Sequence, residues 1–287
     1  MYKVDNAIIM AAGMSRRFIP LSYEKPKALI TVKGEVLIER QIKQLQRAGI
    51  KDIYIVIGYK AEMFQYLQKK YNVTLIENKE YQTRNNHSSI WSARDVIHNS
   101  YICSADNYFT ENLFTSRVKE SYYSAVYSRG KTNEWCLSFD NSAYINNVTI
   151  GGKNSWYMLG HAFWDENFSH KFINILTQEY NQKETYTKLW EHIYIDHIAE
   201  LKMKIRKYSK TKIFEFDSLD ELRTFDTSYI NDTRSKIIKD ISQYLNAKES
   251  DICNIIPTSH QDNIQEFNFI CKNIPYKYKD EAIILEE

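Results

Sequence analysis

The chain is poor in cysteine, in net charge and in long apolar runs. Its four cysteines, Cys103, Cys136, Cys253 and Cys271, form no C-x-x-C pair. Their spacing points neither to a zinc site nor to a disulfide framework, so free thiols in a reducing compartment are expected. Lysine and arginine number 38 against 36 acidic residues, a net charge of +2. No global field then favours nucleic acid or an anionic membrane. No apolar run approaches the ~20 residues that cross a bilayer. The opening MYKVDNAIIMAAG lacks the cationic, apolar and cleavage-site order of a signal peptide. A cytoplasmic protein is expected. Internal repeats, low-complexity tracts, a Ser-His-Asp or Cys-His set, and the G-x-G-x-x-G and G-x-x-x-x-G-K-[ST] loops are also missing.

What is present is a strand–helix alternation. Apolar runs at 6–11 and 52–57, and shorter ones at 73–76 and 101–104, read as strands. Helical patterns at 36–48, 61–70 and 88–97 separate them. This order predicts βαβ units and an α/β, Rossmann-like fold with a mainly parallel sheet flanked by helices. Short strands are expected at 122–127, 135–139, 143–150 and 157–163, with turns at Asp140-Asn141 and Gly151-Gly152. They form an antiparallel extension. Helices at 166–181 and 187–201, a strand at 212–216 and a helix from Leu219 follow. A boundary near residue 230 would leave residues 231–287 as an appendage. It has one helix at 229–245 and two strands, at 267–271 and 276–285.

The first strand runs into Ala11-Ala12-Gly13-Met14-Ser15-Arg16-Arg17. Small residues after a strand let backbone N–H groups approach a phosphate chain. Arg17 and then Lys27, in Glu24-Lys25-Pro26-Lys27, add two cations. Such a set neutralises the charge that builds as pyrophosphate leaves. Asp106 follows the strand at 101–104, where α/β sheets bind ligands, and a carboxylate there can hold Mg2+. Asp217 is a second such carboxylate or the N-cap of the next helix. Arg84-Asn85-Asn86-His87-Ser88 is a base-reading loop or a polar helix start. Gly58-Tyr59, ending the second strand, completes the nucleotide-binding candidates.

The segment IIMAAGMSRRFIPLSYEKPKALITVKGEVLIE, residues 8–39, resembles the N-terminal signature of the sugar-phosphate and alcohol-phosphate nucleotidyltransferases. That family's loop reads A-A-G-x-G-[ST]-R, followed by Pro-Lys. The resemblance implies that Arg17 is the catalytic arginine and Lys27 the phosphate-contacting lysine. It also implies that Asp106 and Asp217 are the metal aspartates and that 85–88 lies at the base. Ser15 and Arg16 depart from the pattern, replacing the second glycine and the Ser/Thr.

Three segments place a tryptophan beside an acid: Glu134-Trp135, Trp164-Asp165 and Trp190-Glu191. A quaternary ammonium donates no hydrogen bond and is held by aromatic faces and carboxylates. With Ala105-Asp106-Asn107-Tyr108 and Glu215-Phe216-Asp217-Ser218, these segments resemble the bacterial choline-phosphate cytidylyltransferases over about residues 5–227. The resemblance implies CTP, Mg2+ and phosphocholine, giving CDP-choline and pyrophosphate. Trp135, Trp164, Trp190, Glu191 and Glu215 are then the candidate cage. The alternatives are the same chemistry on phosphoethanolamine or 2-aminoethylphosphonate, a sugar-1-phosphate substrate, or a non-catalytic nucleotide-binding module. Residues 241–270 faintly resemble the opening of choline-kinase-like domains, which makes the appendage a kinase-like remnant or a packing element.

Overall fold

The structure, a computed structural model, describes residues 1–258 and 265–285. The chain divides into two compact units, Met1–Gly13 with Ile38–Glu215, and Met14–Leu37 with Phe216–Glu287. This differs from a single cut near residue 230, because the segment 14–37 packs with the C-terminal residues. Of the kinase-like stretch, residues 259–264 lie outside the described residues.

The first unit is built on a seven-stranded sheet. Its strands are β1 (Asn6–Ala11), β2 (Asp52–Ile57), β3 (Thr74–Glu77), β4 (Ser100–Ser104), β5 (Tyr122–Phe139), β6 (Ile145–Trp164) and β7 (Lys204–Tyr208). Their order across the sheet is β7-β5-β6-β4-β1-β2-β3. β4, β1, β2 and β3 run parallel, which bears out the α/β expectation. Ile8 and Ile9 of β1 are buried, as a strand covered on both faces requires. Helix α1 (Leu37–Arg47) buries Ile38, Ile42 and Leu45 along one stripe, and Gly49 at φ +86° ends its C-terminal turn.

The antiparallel extension is one long hairpin rather than four short strands. β5 has 18 residues and β6 has 20, and their register shifts several times. Gly151-Gly152 lies inside β6, not at a turn. Gly151 takes φ +81°, and a Cβ on Gly152 would lie 2.8 Å from Cys136 Sγ. The glycines serve bulges and close approach. The turn is made at Asp140, whose Oδ1 accepts from Ser142 N at 2.8 Å and Tyr144 N at 2.9 Å. β7 pairs parallel with β5. Its sequence KIRKY carries too little apolar signal to stand out.

Helix α2 (His87–Ala93) follows β3. Helices α3 (Glu166–Glu179) and α4 (Trp190–Asp196) follow the hairpin. Asp165 Oδ1 caps α3 by accepting from Phe168 N at 3.0 Å. Phe168, Phe172 and Leu176 of α3 join Trp164 and Trp190 in the core.

The second unit contains α5 (Leu219–Phe225), α6 (Lys236–Tyr244) and a four-stranded antiparallel sheet. The strands are β8 (Ile252–Pro257), β9 (Glu266–Cys271), β10 (Ile274–Lys279) and β11 (Ala282–Leu285). β8 was not expected. The expected strand at 276–285 breaks where Asp280 and Glu281 adopt φ +43° and +73°. The expected helix at 229–245 begins only at Lys236. All four cysteines are free. Among the described residues, no helix is long and apolar enough to cross a membrane.

Phe172 is fully buried, with its ring centroid 4.5 Å from that of Trp164. Phe172→Ala should lower the unfolding free energy by about 3–5 kcal/mol. This would be read as a lower urea midpoint with an unchanged m-value.

Candidate active site

In the first unit, β1, β2 and β4 end along one edge of the sheet. Ala12 O accepts from Tyr59 N at 2.9 Å, and Met10 O accepts from Ala105 N at 3.1 Å. The chains leaving the three strands are thereby tied together. A Cβ on Gly58 would lie 2.7 Å from the Tyr81 ring and 3.0 Å from Ala12 O, so this crossing admits only glycine without a shift. A Cβ on Gly13 would meet no protein atom within 4 Å.

Asp106 follows Ala105 at this edge and is half-buried. Tyr123 of β5 is buried, and its phenol is held well above the ordinary range. Burial is the main cause, followed by the charges of Glu191, Glu215 and Asp106. Of these, Glu191 is in direct contact with the hydroxyl. Tyr123 OH donates to Glu191 Oε1 at 3.3 Å, and Asn86 Nδ2 donates to Glu191 Oε2 at 3.1 Å. Burial pushes the Glu191 carboxyl up to about 7, against the opposing pull of these hydrogen bonds. Asn107 Nδ2 lies 3.4 Å from Glu215 Oε2, while Asn107 Oδ1 is buried without a hydrogen-bond partner. The Asp106 carboxylate and the Asn107 amide oxygen, from consecutive residues, are oxygen donors of the kind a hard divalent cation takes.

In the second unit, Asp217 is the shared counter-ion of both expected phosphate cations. Its Oδ2 lies 2.7 Å from Arg17 Nη1, and its Oδ1 lies 3.8 Å from Lys27 Nζ. Lys27 is only 3% exposed whereas Arg17 is 74% exposed. A buried ammonium is costly without a partner, so Lys27 depends on its surroundings more than Arg17 does. Ser218, not Asp217, caps α5, with its Oγ accepting from Glu221 N at 3.2 Å. The Asp217 carboxylate is thus not spent on a helix end. Ser15, at the family's second glycine position, takes φ +55°. It holds the left-handed conformation that glycine favours.

Several expected site residues have other surroundings. Trp164 and Trp190 are 0% and 1% exposed and lie in the core, their ring centroids 5.1 Å apart. Trp190 also stacks on Tyr123. Both are corrected from cage walls to core residues, because the aromatic face of α3 needs large partners. Trp135 is half-buried, edge-on to His192 at 4.7 Å between centroids. Asn85 Nδ2 donates to Thr187 O at 3.1 Å, and Asn86 Oδ1 accepts from Trp190 N at 2.7 Å. Ser88 Oγ bonds Asn85 O at 2.8 Å and receives Asn78 Nδ2 at 2.8 Å. These polar groups brace the loop and the start of α4. Tyr123 went unremarked in the sequence, where nothing distinguishes it from the other 21 tyrosines. Among the described residues one three-ligand cluster occurs, His98, Glu166 and His170. It is exposed and does not include Asp106 or Asp217.

The family of MobA-like NTP transferase domains matches residues 7–137. The choline-phosphate cytidylyltransferase of Streptococcus pneumoniae is 35% identical over 217 residues, 76% of this chain and 95% of that protein. The 2-aminoethylphosphonate cytidylyltransferase of Lancefieldella rimae is 36% identical over 234 residues, 80% of this chain and 95% of that one. The solved CTP:phosphocholine cytidylyltransferase from Streptococcus pneumoniae superposes with a TM-score of 0.75 at 34% identity. It covers 79% of this chain and 99% of its own. The inositol-1-phosphate CTP transferase from T. maritima, at 16% identity and a TM-score of 0.59, shares the fold.

The raised Glu191 pKa carries a stability consequence. A carboxyl with a raised folded-state pKa favours folding below its unfolded value of 4.5 and loses that contribution as pH rises towards about 7. Glu191→Gln should therefore gain stability relative to wild type between pH 5 and 8. The upper limit is about 3 kcal/mol, measured by urea unfolding at both pH values.

Proposed function

We propose that this chain, which belongs to the family of bacterial cytidylyltransferases, transfers CMP from CTP to phosphocholine, giving CDP-choline and pyrophosphate. The carrying observation is the buried Glu191 carboxylate, held by Tyr123 OH at 3.3 Å and Asn86 Nδ2 at 3.1 Å. Trp135 packs on His192, the residue after Glu191. A trimethylammonium group has diffuse positive charge and nothing to donate. Carboxylates around aromatic rings answer both properties.

The reaction forms a bond between a phosphocholine oxygen and the α-phosphorus of CTP. The bond from that phosphorus to the bridging oxygen of the β-phosphate breaks, and pyrophosphate leaves with the electron pair. The attacking phosphate has its second pKa near ~6 and is already anionic at neutral pH, so no general base is assigned. Arg17 and Lys27 neutralise the phosphates, with Asp217 as their partner before nucleotide arrives. By resemblance, Gly13 and its neighbours offer backbone N–H groups to phosphate. Gly58, Tyr59 and the 85–88 loop are assigned to the nucleoside. A magnesium ion, assigned to Asp106 and by resemblance to Asp217, would supply charge neutralisation at the α-phosphate. Four free cysteines suit a reducing cytoplasm.

A second reading has the same chemistry on 2-aminoethylphosphonate, supported by the Lancefieldella rimae relative. A primary ammonium hydrogen-bonds to carboxylates and has less need of Trp135. Pyrophosphate release across CTP, UTP, GTP and ATP with each acceptor decides between them. The leading reading fails if CTP with phosphocholine releases no more pyrophosphate than CTP alone. Trp135→Ala should raise the KM for phosphocholine about tenfold, and an unchanged KM would favour the phosphonate.

Lys27→Ala and Asp106→Ala should each lower kcat at least about 100-fold with an unaltered circular-dichroism spectrum. Near-normal turnover in either variant would remove its assigned role. A cation bound beside Glu191 draws the carboxyl pKa down from about 7, so phosphocholine binding near neutral pH should release a proton. Calorimetry in two buffers of different ionisation enthalpy reads it as a buffer-dependent heat.

A further inference from the structure

The segment 14–37 is fastened to the C-terminal residues on both sides of Lys27. Before it, Glu24 accepts three hydrogen bonds. They come from Ser235 Oγ at 2.7 Å and Ile237 N at 3.0 Å to Oε1, and from Lys236 N at 3.0 Å to Oε2. Tyr23 OH donates to Glu266 O at 3.2 Å and accepts from Glu266 N at 3.3 Å. After it, Thr31 O receives Tyr229 OH at 2.6 Å and Arg234 Nη1 at 3.1 Å. Lys33 N donates to Asp226 Oδ2 at 2.7 Å.

Glu24 has the strongest physical reason to be where it is. The first N–H groups of a helix have no partner within it. Ser235 Oγ already caps α6 by accepting from Ile238 N at 3.2 Å. Glu24 takes the N–H groups of Lys236 and Ile237 and sets its negative charge at the positive end of the helix dipole. It stands three residues before Lys27, with Lys25 and the stiff Pro26 between them. A shift at Glu24 is therefore passed along a short, constrained path to the Lys27 backbone.

We propose that Glu24 is a positioning residue: by gripping the start of α6 it sets Lys27 for the triphosphate, so residues 231–287 serve the nucleotide loop. The proposal rests on the reading of Lys27 as a phosphate-binding lysine. Misplacement of a phosphate ligand by about 1 Å is enough to cost ~100-fold in rate.

The test compares the full-length chain with Glu24→Ala and Glu24→Gln in two measurements. One is steady-state kinetics with CTP and phosphocholine. The other is calorimetric affinity for magnesium tripolyphosphate, which depends on neither base nor acceptor. Glu24→Ala should raise the KM for CTP and weaken tripolyphosphate binding about tenfold, with the KM for phosphocholine within twofold. Glu24→Gln keeps one acceptor oxygen and should fall between. A folded Glu24→Ala, measured well below its melting midpoint, with both nucleotide readouts within twofold of wild type would overturn the proposal and leave Glu24 a fastener only. If Glu24→Ala does not fold, Glu24→Gln and Tyr23→Phe are judged by the same twofold limit. A wild-type chain inactive on phosphocholine would defeat the functional reading, while the tripolyphosphate comparison would still decide the role of Glu24.

Discussion

The parallel pairing of β1 with β2 on one side and β4 on the other is the constraint on which the first unit depends. Ala11 lies opposite Ile57, and Met10 opposite Ser104. Parallel strands in register must end along the same edge. Residues 11–13, 58–59 and 105–106, far apart in sequence, leave the sheet together for that reason alone. A strand hydrogen-bonded on both sides and covered on both faces must be almost wholly apolar, and NAIIMA is. The small residues that follow it begin the candidate phosphate loop.

Charge is handled differently in the two units, and both solutions have a chemical use. In the first, burial of Glu191 outweighs its hydrogen bonds, so its carboxyl is pushed up to about 7. In the second, Lys27 is buried with the Asp217 carboxylate 3.8 Å from its ammonium. Each is an arrangement that costs stability without a ligand and becomes favourable with one of opposite charge. In the proposed function a cationic head group answers the first and a polyphosphate the second. Perturbed, partly compensated charges of this kind mark functional sites.

The second unit joins a segment near the start of the chain to its end. Hydrogen bonds that Tyr23 and Lys33 donate and that Glu24 and Thr31 accept tie the segment 14–37 to residues 226–266. Such pairings have no local signature. The cut expected near residue 230 followed composition, which loosens there, whereas the chain divides according to which segments bury one another. The hairpin misled for a related reason. Gly151-Gly152 has the composition of a turn, but its neighbours across the strand, Thr132 and Cys136, give it the role of a bulge.

The amino-acid sequence by itself determined the alternation of strands and helices, and it singled out residues 11–17, Lys27 and Asp106 as the candidates for phosphate and metal. Those features are written in short windows, as apolar runs, small residues after a strand and cations a few positions on. Tertiary structure decided which aromatic residues fill the core. It sent Trp164 and Trp190 inward and drew Tyr123 and Asn86 onto Glu191 across separations of 68 and 105 residues. It also released Asp217 from capping a helix by giving that task to Ser218. Burial and electrostatic environment belong to neighbours in space, and no window of adjacent residues contains them.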